Sequence, residues 1–494
     1  MTNGKWSTAA AVLVTAAAVG LRVFGLTTKS LWFDETYSVF VASLPIERLF
    51  VVTAINDAHP PLYYLLLHLW MPVLGDGELA VRALSVLISA AVVPVTWGFG
   101  RHLVGSGAAL VAAGLVALAP AQVAAGQEAR MYGLLTLAAL LSWWALWAAL
   151  AGRRSWTLYA FAVAAMLYSH YYGFFVVMAQ AIYLVWVRAP FVAWRRWIVA
   201  GLGVIALLIP WIPALAGHVL SGRAWPVFRP PLHPVLLADT LASLVVGRPI
   251  FDPMGVAPLH PVGVWALAVV GVVVVLAGVW AARAAGRRDA AALCLCASVV
   301  PLILAFGISF VVHVFAPRYL IFAMPGLALL VGAAVVPPRS GVPTWLRVAA
   351  TAACVVVVTA SAAALVRFYQ QPRLDVFDWR KVSATIAAGA QRDDAIAFLP
   401  GFARIPVNYY FHGPQLRLAL DPRVLDAEGP RGSRMSLLVT ALAERSRVWI
   451  VTVPPVPPSV ETLIAALGRR SYRVRMRQDV NMARLILLER RRRP

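Results

Sequence analysis

Two acidic side chains, Asp34 and Glu35, stand side by side in the stretch LWFDETYSVF (31–40), flanked by Trp32, Phe33 and Tyr37. A carboxylate partly desolvated by aromatic rings has a raised pKa and can take a proton from a hydroxyl. Neighbouring carboxylates in a loop diverge, so one is expected to act as a general base and the other to support the site. The plainer alternative is a capping carboxylate, since DET before an apolar stretch is also a helix-start pattern. About twenty residues on comes DAHPPLYYLLLH (57–68), where His59-Pro60-Pro61 stiffens the return of the same loop and brings His59 and Tyr63 with it. GQEARMYG (126–133) adds Glu128, Arg130 and Tyr132. Residues two apart on a helix do not face each other, so Glu128 and Arg130 are expected to serve different partners, a hydroxyl or a neighbouring helix for one and an anion for the other. SHYYG (169–173) supplies His170 and Tyr171, and APRYL (316–320) supplies Arg318 and Tyr319. A guanidinium at head-group depth suits phosphate through charge-assisted, bidentate hydrogen bonds. Taken singly, each stretch has an ordinary reading as a salt bridge, a snorkelling arginine or an aromatic belt. Their chemistry depends on being brought to one face.

The elements that must do this are membrane helices. The 494 residues are 61% hydrophobic with a mean hydropathy of +0.77, and several apolar runs exceed the length that crosses a bilayer. Residues 1–367 are therefore expected to form a polytopic helical domain, with spans near 7–27, 79–100, 104–122, 131–151, 156–168, 171–187, 198–217, 262–282, 290–312, 319–337 and 348–367. That makes about eleven. The stretch 156–187 is too long for one span and short for two. Only a double crossing puts Arg101, Arg153, Arg154, Arg188, Arg195, Arg196, Arg283, Arg287, Arg288 and Arg339 on the side of the N-terminus, which the positive-inside rule makes cytoplasmic. Most acidic residues before 368, with the stretches above, then fall on the outer face.

The net charge of +22 is thus largely a record of topology, and no basic module for nucleic acid is present. Cys294, Cys296 and Cys354 lie inside apolar segments, which excludes a disulfide framework. The loop 28–78 is expected to carry two short interfacial helices, and the proline-dense loop 218–261 reads as an acceptor-selecting cover or a stiff connector. Residues 368–494 change character. Runs at 395–400, 447–453 and 483–489 read as strands and 378–391 and 459–469 as helices, a small extracytoplasmic α/β domain whose RRRRP end could lean on anionic lipid.

An outer-face site of carboxylates, arginine, histidine and aromatics fits transfer of a sugar from a lipid phosphate. The residues that carry a resemblance are F33-D34-E35-T36-Y37 after the first span, H59-P60-P61-L62-Y63-Y64 at the return of its loop, and R318-Y319-L320 followed by Pro325. In these the sequence resembles a GT-C glycosyltransferase of the branch containing protein O-mannosyltransferases and lipid A aminoarabinose transferases. The resemblance implies that Asp34 is the catalytic base with Glu35 in support, while the polar-aromatic stretches themselves offer Tyr37, His59, Tyr63, Glu128, Arg130, Tyr132, His170, Tyr171, Arg318 and Tyr319 for substrate binding. It implies an inverting transfer of a mannose- or arabinose-like sugar from a polyprenyl phosphate to a lipid, polysaccharide or protein hydroxyl at the outer face of the cytoplasmic membrane. Where the aminoarabinose transferases carry a basic residue before Pro-Pro, this chain has His59, so phosphate binding shifts toward Arg130 and Arg318. No cofactor and no metal are expected, because no cluster has metal-ligand spacing. The competing reading is a transporter or flippase of a lipid-linked sugar, which would place its site near the membrane midplane. A receptor or assembly subunit would leave the acidic and His-Pro-Pro stretches without a role.

Overall fold

A computed structural model of the chain describes residues 2–153, 155–221, 232–246, 261–312, 314–336, 343–370, 377–413, 417–418, 431–454 and 456–491. Arg154, Arg339, Asp252, most prolines of the 218–261 loop and the last three residues of the RRRRP end lie outside them. Packing divides the chain into two compact units, Met1–Leu26 with Val41–Gln371, and Thr27–Phe40 with Pro372–Pro494.

In the first unit, α1 (Thr2–Val23) is followed by the interfacial helices α2 (Phe33–Ala42, which starts in the other unit), α3 (Ile46–Asn56) and α4 (Leu62–Leu74). The loop thus holds three short helices rather than two, because both Pro45 and the Pro60-Pro61 pair interrupt it. Then come α5 (Glu78–Leu103), α6 (Ser106–Leu118), α7 (Pro120–Gly126), α8 (Tyr132–Leu150), α9 (Trp156–Ser169), α10 (Gly173–Trp186), α11 (Phe191–Leu208) and α12 (Ile212–Leu220). The unit is completed by α13 (Pro234–Val246), α14 (Pro261–Ala284), α15 (Arg288–Ile308), α16 (Met324–Val335) and α17 (Thr344–Gln370).

Among the described residues seven helices are long and apolar enough to cross a membrane, and the bent pair α6–α7 makes an eighth. Each of the eleven expected spans falls on helix, but α9 and α10 are apolar and shorter than a full span. At 14 residues each, α9 and α10 measure about 21 Å against a hydrocarbon core of about 30 Å. The chain reverses between them. Trp197 Nε1 donates to Tyr159 Oη and Tyr168 Oη to the Leu207 carbonyl, each at 2.7 Å, so α9 and α11 advance in the same direction and α10 must return. Tyr159 Oη donates in turn to Gln180 Oε1 and Gln180 Nε2 to Ser142 Oγ, a buried polar chain that ties α8, α9 and α10.

The break between α6 and α7 bends the pair by 59°. Pro120 has no N–H to continue the ladder, so carbonyls at the end of α6 need other donors. Arg22 of α1 supplies one. Fully buried, it donates from Nη1 to the Ala117 carbonyl (3.4 Å) and from Nε to Ser89 Oγ (2.9 Å), while Ser89 Oγ donates to the Gln122 carbonyl (3.0 Å). This fixes α7, which leads straight into the 127–131 turn. Close helix approach elsewhere needs glycine. A Cβ on Gly332 would sit 2.1 Å from the Ala108 carbonyl oxygen, where α16 crosses α6. Gly332→Val is expected to cost about 1–3 kcal/mol or more, read as a lowered Tm, since the neighbour is backbone and cannot move aside. A wild-type Tm would show that the helices separate freely.

The second unit holds a five-stranded sheet ordered β2-β1-β3-β5-β4, from β1 (Ala395–Leu399), β2 (Arg417–Leu418), β3 (Arg447–Thr452), β4 (Tyr472–Val480) and β5 (Ala483–Arg490). β1 pairs in parallel with β2 and β3, whereas β5 is antiparallel to β3 and β4. Helices α18 (Trp379–Gly389), α19 (Arg404–Tyr410), α20 (Arg431–Ala443) and α21 (Pro458–Gly468) complete it. Trp379, Ile386, Phe398 and Trp449 fill one face and Leu442, Ile450 and Leu463 the other. The segment 27–40 packs with this unit: Leu31 N–H donates to Tyr410 Oη at 2.6 Å, and the Phe33 and Phe402 rings meet edge to face at 5.1 Å.

Candidate active site

The first unit builds a polar cluster where α3 gives way to α4. Asp57 caps the C-terminus of α3, and its Oδ1 accepts from the backbone N–H of Ala58 (2.6 Å) and of His59 (3.2 Å). The same oxygen lies 3.1 Å from His59 Nδ1. Because a carboxylate oxygen only accepts, Nδ1 carries the proton toward Asp57. The 127–131 turn, closed by a bond from Arg130 N to the Glu128 carbonyl (2.7 Å), buries both Glu128 and Arg130. Arg130 Nη1 donates to Tyr64 Oη at 3.2 Å and Nη2 approaches His59 Nδ1 to 3.3 Å. Burial pushes the Asp57 carboxyl up, but the His59 bond, the charges of His59 and Arg130 and the Tyr64 hydroxyl outweigh it and hold the group below the usual carboxylate range.

Aromatic rings close over this cluster. The turn between α9 and α10 points His170 at Tyr319, with ring centroids 4.5 Å apart, and 5.3 Å from His59. Tyr132 stacks on Tyr319 at 5.8 Å, and the Arg318 guanidinium lies 6.0 Å from the Tyr132 ring. Tyr172 donates to the Val314 carbonyl and packs edge-on against Tyr319 at 4.9 Å. His170 Nδ1 accepts from Tyr172 N–H at 3.1 Å, so the neutral ring carries its proton on Nε2. That N–H is buried and has no hydrogen-bond partner among the described residues. Burial, with the charges of His59 and Arg130 behind it, pushes the His170 pKa well below its ordinary value of 6.5.

A depressed histidine pKa has a consequence for stability. Below pH 6.5 the unfolded chain binds a proton that folded His170 refuses, so stability is lost as pH falls through that value. Melts of the purified protein between roughly pH 8 and pH 5 are expected to show Tm falling on the acid side, and His170→Gln to flatten the slope. Parallel slopes for the two proteins would remove His170 as the cause.

The structure brings together His59, Arg130, Tyr132, His170, Arg318 and Tyr319, and buries Glu128 in the same turn as Arg130. Tyr63 turns away to Ser85 Oγ (2.7 Å) and tethers α4 to α5. Tyr171 points away from the rings and meets His218 Nδ1 at 2.7 Å. Asp34, Glu35 and Tyr37 belong to the other compact unit. There Glu35 is fully buried and its Oε2 accepts from Trp32 N–H at 3.2 Å, closing the start of α2 in the manner of a capping box, while Asp34 is half-buried beside it. Tyr37 packs between Phe33 and Phe40. Asp57, Tyr64, Tyr172 and His218 were not singled out by sequence. Asp57 had a signal, since an Asp two residues before a His-Pro-Pro turn is placed to hold it. Among the described residues no group of three or more His, Cys, Asp or Glu could hold a metal ion.

Residues 58–214, which carry His59, Arg130 and His170, match the family model for dolichyl-phosphate-mannose-protein mannosyltransferases. No curated protein sequence is matched. Among solved structures, ArnT from Cupriavidus metallidurans in the apo state superposes over 99% of this chain and 98% of its own, at 14% identity and a TM-score of 0.63. The chain has an ArnT-like, GT-C fold. The same ArnT bound to undecaprenyl phosphate aligns at 16% identity over 97% of both chains, again with a TM-score of 0.63. The oligosaccharyltransferase AglB from Archaeoglobus fulgidus, in complex with an inhibitory peptide and a dolichol phosphate, aligns at 10% identity over 91% of this chain and 69% of its own, with a TM-score of 0.53. These likenesses carry the fold alone.

Proposed function

We propose that this chain moves one monosaccharide, mannose or an arabinose-like sugar, from a polyprenyl phosphate to an acceptor hydroxyl at the outer face of the cytoplasmic membrane. One observation carries the reading: a buried, unanswered His170 Nε2–H beside His59, in the cluster that holds Arg130. A buried donor without an acceptor is costly, and a phosphate oxygen would answer it while adding charge that Arg130 and Arg318 favour. The solved ArnT that contains undecaprenyl phosphate shares this fold.

In the reaction so read, Asp34 removes the proton of the acceptor hydroxyl. The acceptor oxygen attacks the anomeric carbon from the side opposite phosphate, the carbon–oxygen bond to phosphate breaks, and the configuration inverts. Both electrons of that bond leave with the polyprenyl phosphate, whose added charge falls on Arg130, Arg318 and the His170 N–H, the kind of preorganised stabilisation that dominates many transfer reactions. Tyr132 and Tyr319 pack the sugar. Lipid, polysaccharide or protein can present the hydroxyl.

The test is direct. Purified protein in nanodiscs is offered a panel of radiolabelled polyprenyl-phosphate sugars with membrane extract as acceptor. Label appearing in a new product identifies the sugar. Labelled lipid crossing sealed vesicles, with no transfer from any donor, would replace this reading with transport.

A further inference from the structure

His218 lies in the last turn of α12, fully buried although the neighbouring Leu220 is exposed. Its Nε2 is 2.9 Å from the Ala54 carbonyl and its Nδ1 is 2.7 Å from Tyr171 Oη, which also receives Trp211 Nε1–H at 3.2 Å. The carbonyl can only accept, so Nε2 carries the proton; a neutral ring then accepts at Nδ1, and Tyr171 O–H donates to it. The direction of every bond is fixed from Trp211 through Tyr171 and His218 to Ala54.

The Ala54 carbonyl is available for a reason. In a continuing helix it would receive the N–H of residue 58, but Ala58 N–H goes to Asp57 Oδ1 at 2.6 Å. His218 therefore caps the end of α3, three residues before Asp57. At its other end the relay holds Tyr171, next in sequence to His170. The two segments joined are the ones that carry the two histidine rings standing 5.3 Å apart in the site.

We propose that Tyr171 and His218 are positioning residues that set the separation of His59 and His170, and through it the grip on the donor phosphate. The inference rests on the reading of the site given above. A leucine at 218 would leave the Ala54 carbonyl and the Tyr171 hydroxyl without their partner. A glutamine can reproduce the relay, because its amide oxygen accepts from Tyr171 while its NH2 donates to Ala54.

The experiment uses the full chain in nanodiscs with undecaprenyl phosphate as the probe. His218→Leu and the milder Tyr171→Phe are expected to weaken binding about 10-fold, the scale of leaving one buried polar partner unmet, and His218→Gln to restore most of it. In a His59→Ala background, where the positioned group is gone, His218→Leu should add less than about 2-fold. Equal losses in both backgrounds, or no loss with Tyr171→Phe, would overturn the proposal by showing a purely structural histidine. Hydrogen exchange over residues 54–61 gives a readout independent of the donor: the Ala58 and His59 amides should exchange faster in His218→Leu than in wild type. If wild type binds no undecaprenyl phosphate, the functional reading of the site fails on its own, and unchanged exchange at those amides would then separately overturn the relay.

Discussion

Asp34→Asn is expected to lower sugar transfer by about 10²–10⁴-fold, the contribution of a positioned general base, with folding and donor binding close to wild type. The local geometry keeps the start of α2 closed in this variant. Glu35, not Asp34, accepts from Trp32 N–H at the start of α2, and the Thr36 and Ser38 hydroxyls bond to backbone carbonyls at Phe33 and Asp34. An isosteric amide at 34 thus removes a charge without removing a bond that closes the helix. Its structural cost should be about 0.3–1 kcal/mol, the value of one anion at a helix N-terminus. Transfer rates, Tm and undecaprenyl-phosphate affinity measured on one preparation separate these effects. Full activity in a well-folded Asp34→Asn protein would end the assignment of the base, and Glu35→Gln would become the next variant to measure.

The second large effect is expected at Arg130. Arg130→Met removes the donor to Tyr64 Oη and the charge that helps hold Asp57 ionised in a buried site. Weakening the field that keeps a buried carboxylate ionised and leaving the Tyr64 hydroxyl without this donor should cost about 1–3 kcal/mol, so Tm should fall below wild type. Undecaprenyl-phosphate binding should weaken by about 100-fold or more, two charge-assisted hydrogen bonds being lost to the ligand. The double variant Arg130→Met/Asp57→Asn distinguishes the two roles. Neutralising Asp57 should recover much of the stability, because no isolated charge is left behind, and recover little of the binding. Recovery of both together would mean that Arg130 serves the fold alone and that phosphate is held elsewhere.

Much of this protein follows from local pattern. The length and apolarity of the runs, with arginine gathered in alternate connections, determine a polytopic helical chain, since hydrocarbon thickness and unsatisfied backbone groups act on every segment independently of its neighbours. Short, nearly continuous apolar runs at 395–399, 447–452 and 483–490 are enough for three strands of the sheet. β4, YRVRMRQDV, lies on an edge where most side chains are exposed, so it has no apolar run of the kind that marks the other three. The types of the site residues were legible as well, because an interfacial carboxylate, histidine or arginine has few idle uses.

Their partners were not. Tyr63 and Tyr64 differ by one position, about 100° around a helix, and that rotation sends one to Ser85 and the other to Arg130. Tyr171 and His170 sit in one turn and serve opposite sides of it. The role of Asp57 depends on Arg130, 73 positions away, and that of His218 on Ala54, 164 away. Even the FDETY segment is grouped by packing with residues beyond 372, far along the chain. Sequence determined which elements would form and which side chains could do chemistry; the rotation of each helix against its neighbours, set by packing between distant segments, decided which of those side chains would meet.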